Sequence, residues 1–332
     1  MKEKGKQMNL DRLRGMFAGA FLGDARGAPH EFICNRKTIY TGKLEHVAFL
    51  HTQFQGKKEL SIGQITDDSE MTLTLMRQLV QDKTYNRENV ILAYLAWANS
   101  GVWMMGKNTR ALLKGVKTIK GYQNRMDRIE DKESLQSNGA MMRCSPLALF
   151  DNYKELLIQD ASITNPSRVS FNCNLVYILA LRLALLGYSP NKIYKRARKM
   201  ANEPEVIQVF EDIDTLDSKE IRNVKINKGW CCNALWCTMY VCKYFDLFSC
   251  DYDECIRFII KLGGDTDTNA CIAGALIGAM LGYKKMMNKK NVYNDFRLMC
   301  DRDSTTGPTL RPREYSLHDF KKLTKQLFSL FL

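Results

Sequence analysis

Residues 261–282 read KLGGDTDTNACIAGALIGAMLG, and this stretch constrains the fold most. A helix built of alanine, glycine and aliphatic residues has almost no side-chain bulk, so another helix can approach its backbone closely. Residues 15–23, GMFAGAFLG, have the same composition near the other end of the chain. We therefore predict a tightly packed central pair of helices. Its small residues are Gly15, Ala18, Gly19 and Gly23 on the first helix and Ala270, Ala273, Gly274, Ala275 and Gly278 on the second.

Helical periodicity continues through most of the remaining sequence. Asn9 is placed to cap a first helix whose apolar face carries Leu13, Phe17 and Phe21. Alternating strand patterns and Asn-Gly hairpin turns are missing, so we predict an all-α, compact, single-domain, multi-helix fold. The domain is expected to span residues 1–332, with a core of about 12–282 and a C-terminal helix over 316–331 packed on it. Further helices are predicted at 66–80, 90–99, 174–186, 191–200, 233–245, 252–262, 268–281 and 317–330, and loops or surface insertions at 114–136, 202–228 and 284–294.

The charge balance favours an anionic partner. Lysine and arginine total 49 against 36 acidic residues, a formal charge of +13. The basic residues are spread along the chain, and no interleaved aromatic and basic platform supports nucleic-acid binding. The sequence therefore leaves nucleic acid as an unsupported partner.

Cysteine and hydrophobic patterns bear on the cell compartment. The 11 cysteines form no C-x-x-C motif, H-E-x-x-H is absent, and an odd cysteine count suggests a reducing compartment. The apolar run 15–22 is short for a signal peptide and is followed by Asp24, while the run 175–186 is interrupted by Arg182 and is too short to span a bilayer. We expect a cytoplasmic protein without a signal peptide or a transmembrane helix.

A cluster of polar residues opens the helix predicted at 66–80, in the stretch GQITDDSEMTLTL. Thr66, Asp67 and Asp68 stand where side-chain oxygens can accept hydrogen bonds from free backbone amides and where the helix dipole favours negative charge. Asp67 and Glu70 also have the spacing of a capping box. A purely structural cap is therefore one interpretation of this motif.

The stretch GGDTDTN presents the same arrangement a second time. Gly263 and Gly264 are suited to end one helix, and the next begins with Asp265, Thr266, Asp267 and Thr268. Asp265, Asp267 and Asn269 match the first three odd positions of a calcium-binding EF-hand loop. The match fails because Ala270 replaces the required glycine and Leu276 the required glutamate.

Two acidic helix starts together offer oxygen ligands without histidine or cysteine. Such a ligand set suits magnesium or manganese better than zinc. Several carboxylates packed together repel one another unless cations lie between them, and two divalent ions about 3.5–4 Å apart would compensate that charge. Asp24 and Glu31, just beyond the first helix, could add carboxylates to such a site.

Four motifs, in this order, resemble those of the ADP-ribosylglycohydrolase family, which includes the dinitrogenase reductase-activating glycohydrolase. They are Gly23-Asp24 through Gly27-Ala28-Pro29 to Glu31-Phe32, the TDD-x-x-MT stretch from Thr66, SNGAMMRCSPL at 137–147, and LGGDTDTNACIAGALIGAMLG at 262–282. The resemblance covers the chain from Arg12 to about Gly282. It implies an all-α fold with two magnesium or manganese ions in a central cleft.

The resemblance also implies the reaction and the site residues. The family hydrolyses the bond between the distal ribose of ADP-ribose and an acceptor, while the metals hold ribose hydroxyls. Carried over by motif, the catalytic residues are Glu31, Asp67 and Asp267, with Glu31 expected to exchange protons with the reacting groups. The metal ligands are Thr66, Asp67, Asp68, Asp265, Asp267 and Thr268, and the substrate-binding residues are Asn138, Gly139, Ala140 and Asn165.

Two positions depart from the family pattern. Asn165 stands where relatives commonly have histidine, and Met105 stands near a position where many have an acidic residue. The expected partner is an ADP-ribosylated protein or a small molecule containing ADP-ribose, and we expect a monomer. The alternative is a member of the same fold that is catalytically inactive and binds ADP-ribose or has a structural role.

Overall fold

The structure is a computed structural model that describes residues 7–31, 41–45, 47–52, 56–102, 104–215 and 222–331. Within these residues the chain forms fifteen α-helices, four short 3-10 helices and one two-stranded hairpin, so the predicted all-α fold is confirmed. The helices are α1 Leu10–Gly27, α2 Asp67–Asp82, α3 Arg87–Ala98, α4 Lys107–Leu113, α5 Ile119–Asp127, α6 Tyr153–Ala161, α7 Arg168–Leu185, α8 Pro190–Arg198, α9 Pro204–Thr215, α10 Cys231–Lys243, α11 Tyr252–Leu262, α12 Thr266–Leu281, α13 Tyr283–Met287, α14 Lys290–Asp301 and α15 Phe320–Ser329. The 3-10 helices are Ala28–His30, Ser145–Leu149, Phe245–Phe248 and Arg313–Tyr315, and the strands are β1 Val47–Thr52 and β2 Gly56–Leu60.

Helices α1 and α12 form the predicted central pair. They run antiparallel with their backbones in contact: a Cβ placed on Gly19 would lie 2.2 Å from the carbonyl oxygen of Gly274, and one on Gly278 would lie 1.9 Å from that of Gly15. The same contact recurs every four residues, which is one helical turn. The C-terminal end of α1 therefore lies beside the N-terminal end of α12.

The other helices enclose this pair. Helices α7, α10 and α11 pack on α12, and α2 and α15 pack on α1 and on each other. Asn9 caps α1 as predicted, since its side chain accepts a hydrogen bond of 2.9 Å from the amide of Arg12. Arg12 in turn donates to the carbonyl of Met280 at 2.7 Å and so fixes the far end of the pair.

The C-terminal segment is joined to α2 by buried charges. The guanidinium of Arg311 contacts both carboxylate oxygens of Glu70 at 2.7 Å. The indole of Trp97 donates to the same carboxylate at 2.8 Å. These contacts attach the last part of the chain to the helix that begins with Thr66.

The predicted loops contain helices that the charged composition concealed. Helix α5 lies within 114–136, α9 within 202–228, and α13 with the start of α14 within 284–294, so those loop predictions were wrong. Helix α9 buries Val206, Val209, Phe210 and Ile213, which have helical spacing between charged residues.

The β1–β2 hairpin is also absent from the sequence-based prediction. Its strands pair antiparallel from Val47 opposite Leu60 to Thr52 opposite Gly56, with an irregularity between Val47 and Leu50. The pairing of the two strands is irregular, and no Asn-Gly pair stands between them in the sequence to mark a hairpin turn. The sequence therefore gives no clear signal for these strands.

Of the described helices, α7 alone is long and apolar enough to cross a membrane, and 72% of this helix is buried inside the protein. Burial of this kind is also typical of a core helix.

Candidate active site

The ends of three helices bring carboxylates together at one end of the central pair. Carboxylate oxygens of Asp24, Asp68 and Asp267 lie within 4.8 Å of one another, and so do those of Glu31, Asp265 and Asp267. Asp267 belongs to both groups and connects them. With Asp67, which neighbours Asp68 at the start of α2, we call these six residues the acidic cluster: Asp24, Glu31, Asp67, Asp68, Asp265 and Asp267.

Asp24 at the end of α1 caps helix α2 from outside. Its carboxylate accepts hydrogen bonds from the amide of Thr66 at 3.0 Å and from the amide of Ser69 at 3.2 Å. The hydroxyls of Thr66 and Ser69 also donate to it. Asp24 thus takes the role that we considered for the side chains of α2 itself.

The capping interpretation of the TDD motif was therefore wrong. Thr66 occupies the N-cap position, but its side chain accepts no capping hydrogen bond. Glu70 does not complete a capping box, because its carboxylate is held by Arg311 and Trp97. Asp67 and Asp68 are consequently free to face the acidic cluster.

The two aspartates of α2 have different surroundings. Asp67 accepts a hydrogen bond of 3.2 Å from the amide of Gly106. The Oδ2 atom of Asp68 lies 3.0 Å from the hydroxyl of Thr66, whereas its Oδ1 atom is buried without a hydrogen-bond partner. A buried oxygen with no donor costs free energy unless something else occupies the position of that donor.

The start of α12 is set by two glycines. Gly263 and Gly264 follow the last turn of α11 with φ angles of 73° and 81°, and this backbone conformation favours glycine. Asp265 then occupies the N-cap position of α12, but its carboxylate makes no capping hydrogen bond. It accepts a hydrogen bond of 2.8 Å from the amide group of Asn138 instead.

Gly229 closes the cluster beside Asp265. Its φ is 77°, and an added Cβ would lie 3.2 Å from Oδ2 of Asp265. The carbonyl of Gly229 accepts a hydrogen bond of 2.8 Å from the backbone amide of Asn138. Sequence reasoning did not identify Gly106 or Gly229 as residues of the site. For Gly229 the one local signal was the turn-forming Asn-Lys-Gly stretch at 227–229.

The turn that carries Asn138, Gly139 and Ala140 is supported from behind. The carbonyl of Asn138 accepts a hydrogen bond from the amide of Met141 at 2.8 Å, which closes a tight turn. Arg143 donates to the carbonyl of Gly139 at 2.9 Å and forms a buried ion pair with Asp160 at 3.0 Å. Ala140 is fully buried within this support.

Asn165 lies behind the same turn. Its amide nitrogen donates to the carbonyl of Ser137 at 3.1 Å and to the Ser137 hydroxyl at 2.8 Å, and the residue is fully buried. The structure thus places Asn165 as a support for the turn and does not bring it into the acidic cluster. Its assignment to substrate binding stays a prediction. Met105 is buried next to Gly106, which contacts Asp67.

The carboxylates of the acidic cluster lie close to one another and largely out of water, so ionising all of them is unfavourable. Burial, together with the charges of Asp24 and Asp265, raises the pKa of Asp67 to about 7, although the hydrogen bond from the amide of Gly106 lowers it. Burial likewise raises the pKa of Glu31, Asp68 and Asp267 well above their ordinary values, with the neighbouring carboxylates adding to the effect. The pKa of Asp24 is raised by burial although hydrogen bonds from Ser69 and Thr66 lower it.

None of the ion pairs formed between described residues neutralises these carboxylates. The oxygen atoms here belong to carboxylates and to the hydroxyl of the buried Thr66, which contacts Asp24 and Asp68; Thr268 is also buried, and its role as a ligand stays a prediction. Hard divalent cations such as Mg²⁺ and Mn²⁺ prefer oxygen ligands. The lone Oδ1 atom of Asp68 and the uncompensated charge therefore fit a site for divalent cations.

Comparisons with known proteins agree with this geometry. Residues 6–294 match the model of the family described as ADP-ribosylglycohydrolase. The chain is 26% identical to the ADP-ribosyl-dinitrogen reductase glycohydrolase of Rhodospirillum rubrum, with 82% of this chain and 86% of that protein covered. It is 25% identical to the ADP-ribosylarginine hydrolase Tri1 of Pseudomonas putida, with 83% and 72% covered.

A solved structure has the same fold. A chain titled "ADP-ribosylglycohydrolase-related protein complex" superposes with a TM-score of 0.66 at 22% identity, and 97% of each chain is covered. The family match includes both acidic helix starts and the turn at Asn138. This chain therefore belongs to the ADP-ribosylglycohydrolase family.

Proposed function

We propose that the protein is a hydrolase that removes ADP-ribose from an acceptor by cleaving the glycosidic bond of its distal ribose. One observation carries the proposal: six carboxylates, all buried except the half-buried Glu31, converge at the ends of α1, α2 and α12, and no ion pair between described residues neutralises them. A purely structural protein gains nothing from such repulsion, because uncompensated buried charge is destabilising. The names of the Rhodospirillum and Pseudomonas relatives support the same reaction class.

We infer that the cluster holds two divalent cations, Mg²⁺ or Mn²⁺. Asp67 and Asp68 with Thr66 would provide ligands from α2, and Asp265, Asp267 and Thr268 would provide them from the start of α12. When bound, the cations would orient ribose hydroxyls and offset the charge of the carboxylates. Gly229 contributes no side chain to the space beside Asp265, where an added Cβ would lie 3.2 Å from Oδ2 of Asp265.

Glu31 is our candidate for proton transfer. It follows the 3-10 helix Ala28–His30, and its own amide donates to the carbonyl of Ala28 at 3.3 Å. Burial and the charges of Asp265 and Asp67 raise its pKa well above the usual value. A carboxyl group whose pKa is raised above its ordinary range can both hold a proton and return it, which cleavage at an anomeric carbon requires.

The remaining residues act by position. Asn138 donates to Asp265, so the Ser137–Arg143 turn and the start of α12 are fixed relative to each other. The ion pair of Arg143 with Asp160 holds this turn from the inside. Correct orientation of a bound ribose is worth several kcal/mol of the barrier, roughly 7–11 in well-aligned systems.

The test uses three substrates: protein carrying ADP-ribose on arginine, protein carrying it on serine, and ADP-ribosylated nucleic acid. Each is incubated with the protein in Mg²⁺, in Mn²⁺ and in chelator, and free ADP-ribose is measured. We expect release from at least one substrate, lost in chelator and in Asp267→Asn. Asp127→Asn, which changes an exposed carboxylate, is the matched control and should keep full activity.

Glu31→Gln separates chemistry from cation binding. We expect this variant to bind Mn²⁺ as the parent does but to release ADP-ribose about 10²–10⁴-fold more slowly. Release that persists undiminished in chelator would refute the metal-dependent site. Binding of ADP-ribose without release from any substrate would favour the inactive, binding-only alternative.

A further inference from the structure

We propose that Cys173, Cys231 and Cys232 form a second metal site, which binds a soft, thiophilic ion such as Zn²⁺ or Cu⁺. Cys173 lies on α7, and the other two cysteines begin α10. Their three sulfur atoms all lie within 4.8 Å of one another, and all three residues are fully buried. We call them the thiol cluster. It shares no residue with the acidic cluster.

The sulfur spacing fits a shared metal ion. Thiolate sulfurs lie about 2.3 Å from zinc, so two thiolates on one ion are roughly 3.8–4.0 Å apart in tetrahedral or trigonal geometry. The sulfur atoms of Cys173 and Cys232 are 3.6 Å apart. A disulfide would need about 2.05 Å. The described arrangement therefore needs only small adjustments to hold an ion, but a large approach to form a covalent bond.

The electrostatic surroundings favour thiolates. Cys231 and Cys232 occupy the first turn of a helix, where the dipole stabilises negative charge. Hydrogen bonds from Cys173 and Cys231 lower the pKa of Cys232 to about 5 although burial opposes this, and the charge of Arg222 adds to the lowering. Burial raises the pKa of Cys173 and Cys231, so an incoming ion would displace their protons.

The choice of a soft ion follows from the ligands. Among described residues, no histidine nitrogen or carboxylate oxygen lies close enough to all three sulfur atoms to complete the ligand set. Thiolates select Zn²⁺ and Cu⁺ over Mg²⁺ and Mn²⁺. Arg222 places a positive charge near the cluster and would partly offset the negative charge of a tri-thiolate complex.

Sequence spacing conceals this site because its ligands come from distant segments. Cys173 and Cys232 are 59 residues apart, and two adjacent cysteines match no zinc-binding spacing. The thiol cluster is also joined to the segment just before Asn138. The amide of Cys231 donates to the carbonyl of Gln136 at 3.0 Å, and Ser137 pairs with Trp230. An ion here would tie α7 to the segment that carries Gly229.

The test titrates the full-length protein with Cd²⁺, whose bonds to thiolates give an ultraviolet charge-transfer band. A phosphine reductant keeps thiols reduced, and excess Mg²⁺ occupies oxygen ligands. We expect the band to saturate at one equivalent. Cys173→Ser and Cys232→Ser should each weaken binding by more than the roughly 10–100-fold that loss of a second-shell partner costs. Cys237→Ser, which changes another buried thiol of α10, should bind as the parent does.

A second measurement uses the unaltered protein, so that misfolding of a variant cannot decide the result. In mild urea, which transiently exposes buried thiols, one equivalent of Cd²⁺ should slow the alkylation of Cys173, Cys231 and Cys232 relative to the metal-free protein, as read by mass spectrometry, and leave that of Cys250 and Cys300 unchanged. Competition with Zn²⁺ and with Cu⁺ then ranks the two ions. Absence of a band at one equivalent, a band that survives both serine substitutions, or protection of other cysteines instead would overturn the proposal.

Discussion

Replacing Asp67 with asparagine should stabilise the protein when divalent cations are removed. In the folded state the pKa of Asp67 is raised from 3.8 to about 7. Between these two pH values the folded protein retains a proton that the unfolded chain has lost, so the free energy of unfolding falls as pH rises. One pKa unit corresponds to about 1.36 kcal/mol. The cost of ionising Asp67 is therefore about 4 kcal/mol at pH 8 and less than half as large at pH 5.

Asparagine removes this cost and keeps an oxygen that can accept the hydrogen bond from Gly106. In chelator, urea unfolding should find Asp67→Asn more stable than the parent by up to about 4 kcal/mol at pH 8, with an advantage about 3 kcal/mol smaller at pH 5. A cation at 100 times its dissociation constant stabilises the parent by about 2.7 kcal/mol, so in Mg²⁺ the advantage of Asp67→Asn should shrink to about 1 kcal/mol at pH 8 and the order should reverse at pH 5.

Asp214→Asn serves as the control with opposite sign. Although burial raises the pKa of Asp214, hydrogen bonds from Lys243 and Tyr194 lower it overall. Its ionised form is therefore stabilising, and this variant should lose stability at pH 8 in chelator and in Mg²⁺ alike. The reasoning about Asp67 is refuted if Asp67→Asn shows no gain in chelator at pH 8, or a gain that does not change with pH.

Three further outcomes follow from other contacts. Gly229→Ala should weaken Mn²⁺ binding, measured by calorimetry, because its Cβ would lie 3.2 Å from Oδ2 of Asp265. Gly101→Ala is the control: its φ is similarly positive but its nearest neighbour is 3.9 Å away, so it should cost only the backbone strain of about 1–2 kcal/mol and leave Mn²⁺ binding unchanged. Arg311→Met should lower the free energy of unfolding in urea by about 3–5 kcal/mol, because it leaves Glu70 buried and unpaired; a loss below 1 kcal/mol would contradict this. Gly278→Ala should lower the free energy of unfolding by about 1–3 kcal/mol or more in thermal unfolding, because its Cβ would lie 1.9 Å from the Gly15 carbonyl oxygen. Gly106→Ala, whose Cβ would have no neighbour within 4 Å, should leave the stability nearly unchanged.

The sequence was informative where one residue type has one physical use. Glycines at intervals of four predicted the contact between α1 and α12, since only a missing side chain allows that approach. Acidic residues at the starts of α2 and α12 predicted that carboxylates would gather. Local pattern could not show that Asp24 caps α2 in place of Thr66, because that contact joins residues 42 positions apart.

The rest of the site depended on three-dimensional packing that the sequence does not display. The motif assigns Asn165 to substrate binding, which stays a prediction, but it gives no sign that the amide of Asn165 donates to Ser137. Helix α9 was taken for a loop because charged residues surround its four buried apolar positions. In both cases the deciding factor is the partner of a side chain, and that partner lies far away in the chain.

The antiparallel pairing of α1 and α12 has a consequence for how the protein is made. The last residue of α1 and the first of α12 are joined by a hydrogen bond across 239 positions. At about 5–20 residues per second, a ribosome needs roughly 12–48 s to synthesise that interval. Throughout it, α1 can pack on α2 and α7 but not on α12, and Asp24 stands without Asp267. A nascent or truncated chain that ends before Asp265 therefore lacks a finished core and two of the six carboxylates of the acidic cluster, so we expect it to be a substrate for chaperones and proteases rather than a partly active enzyme.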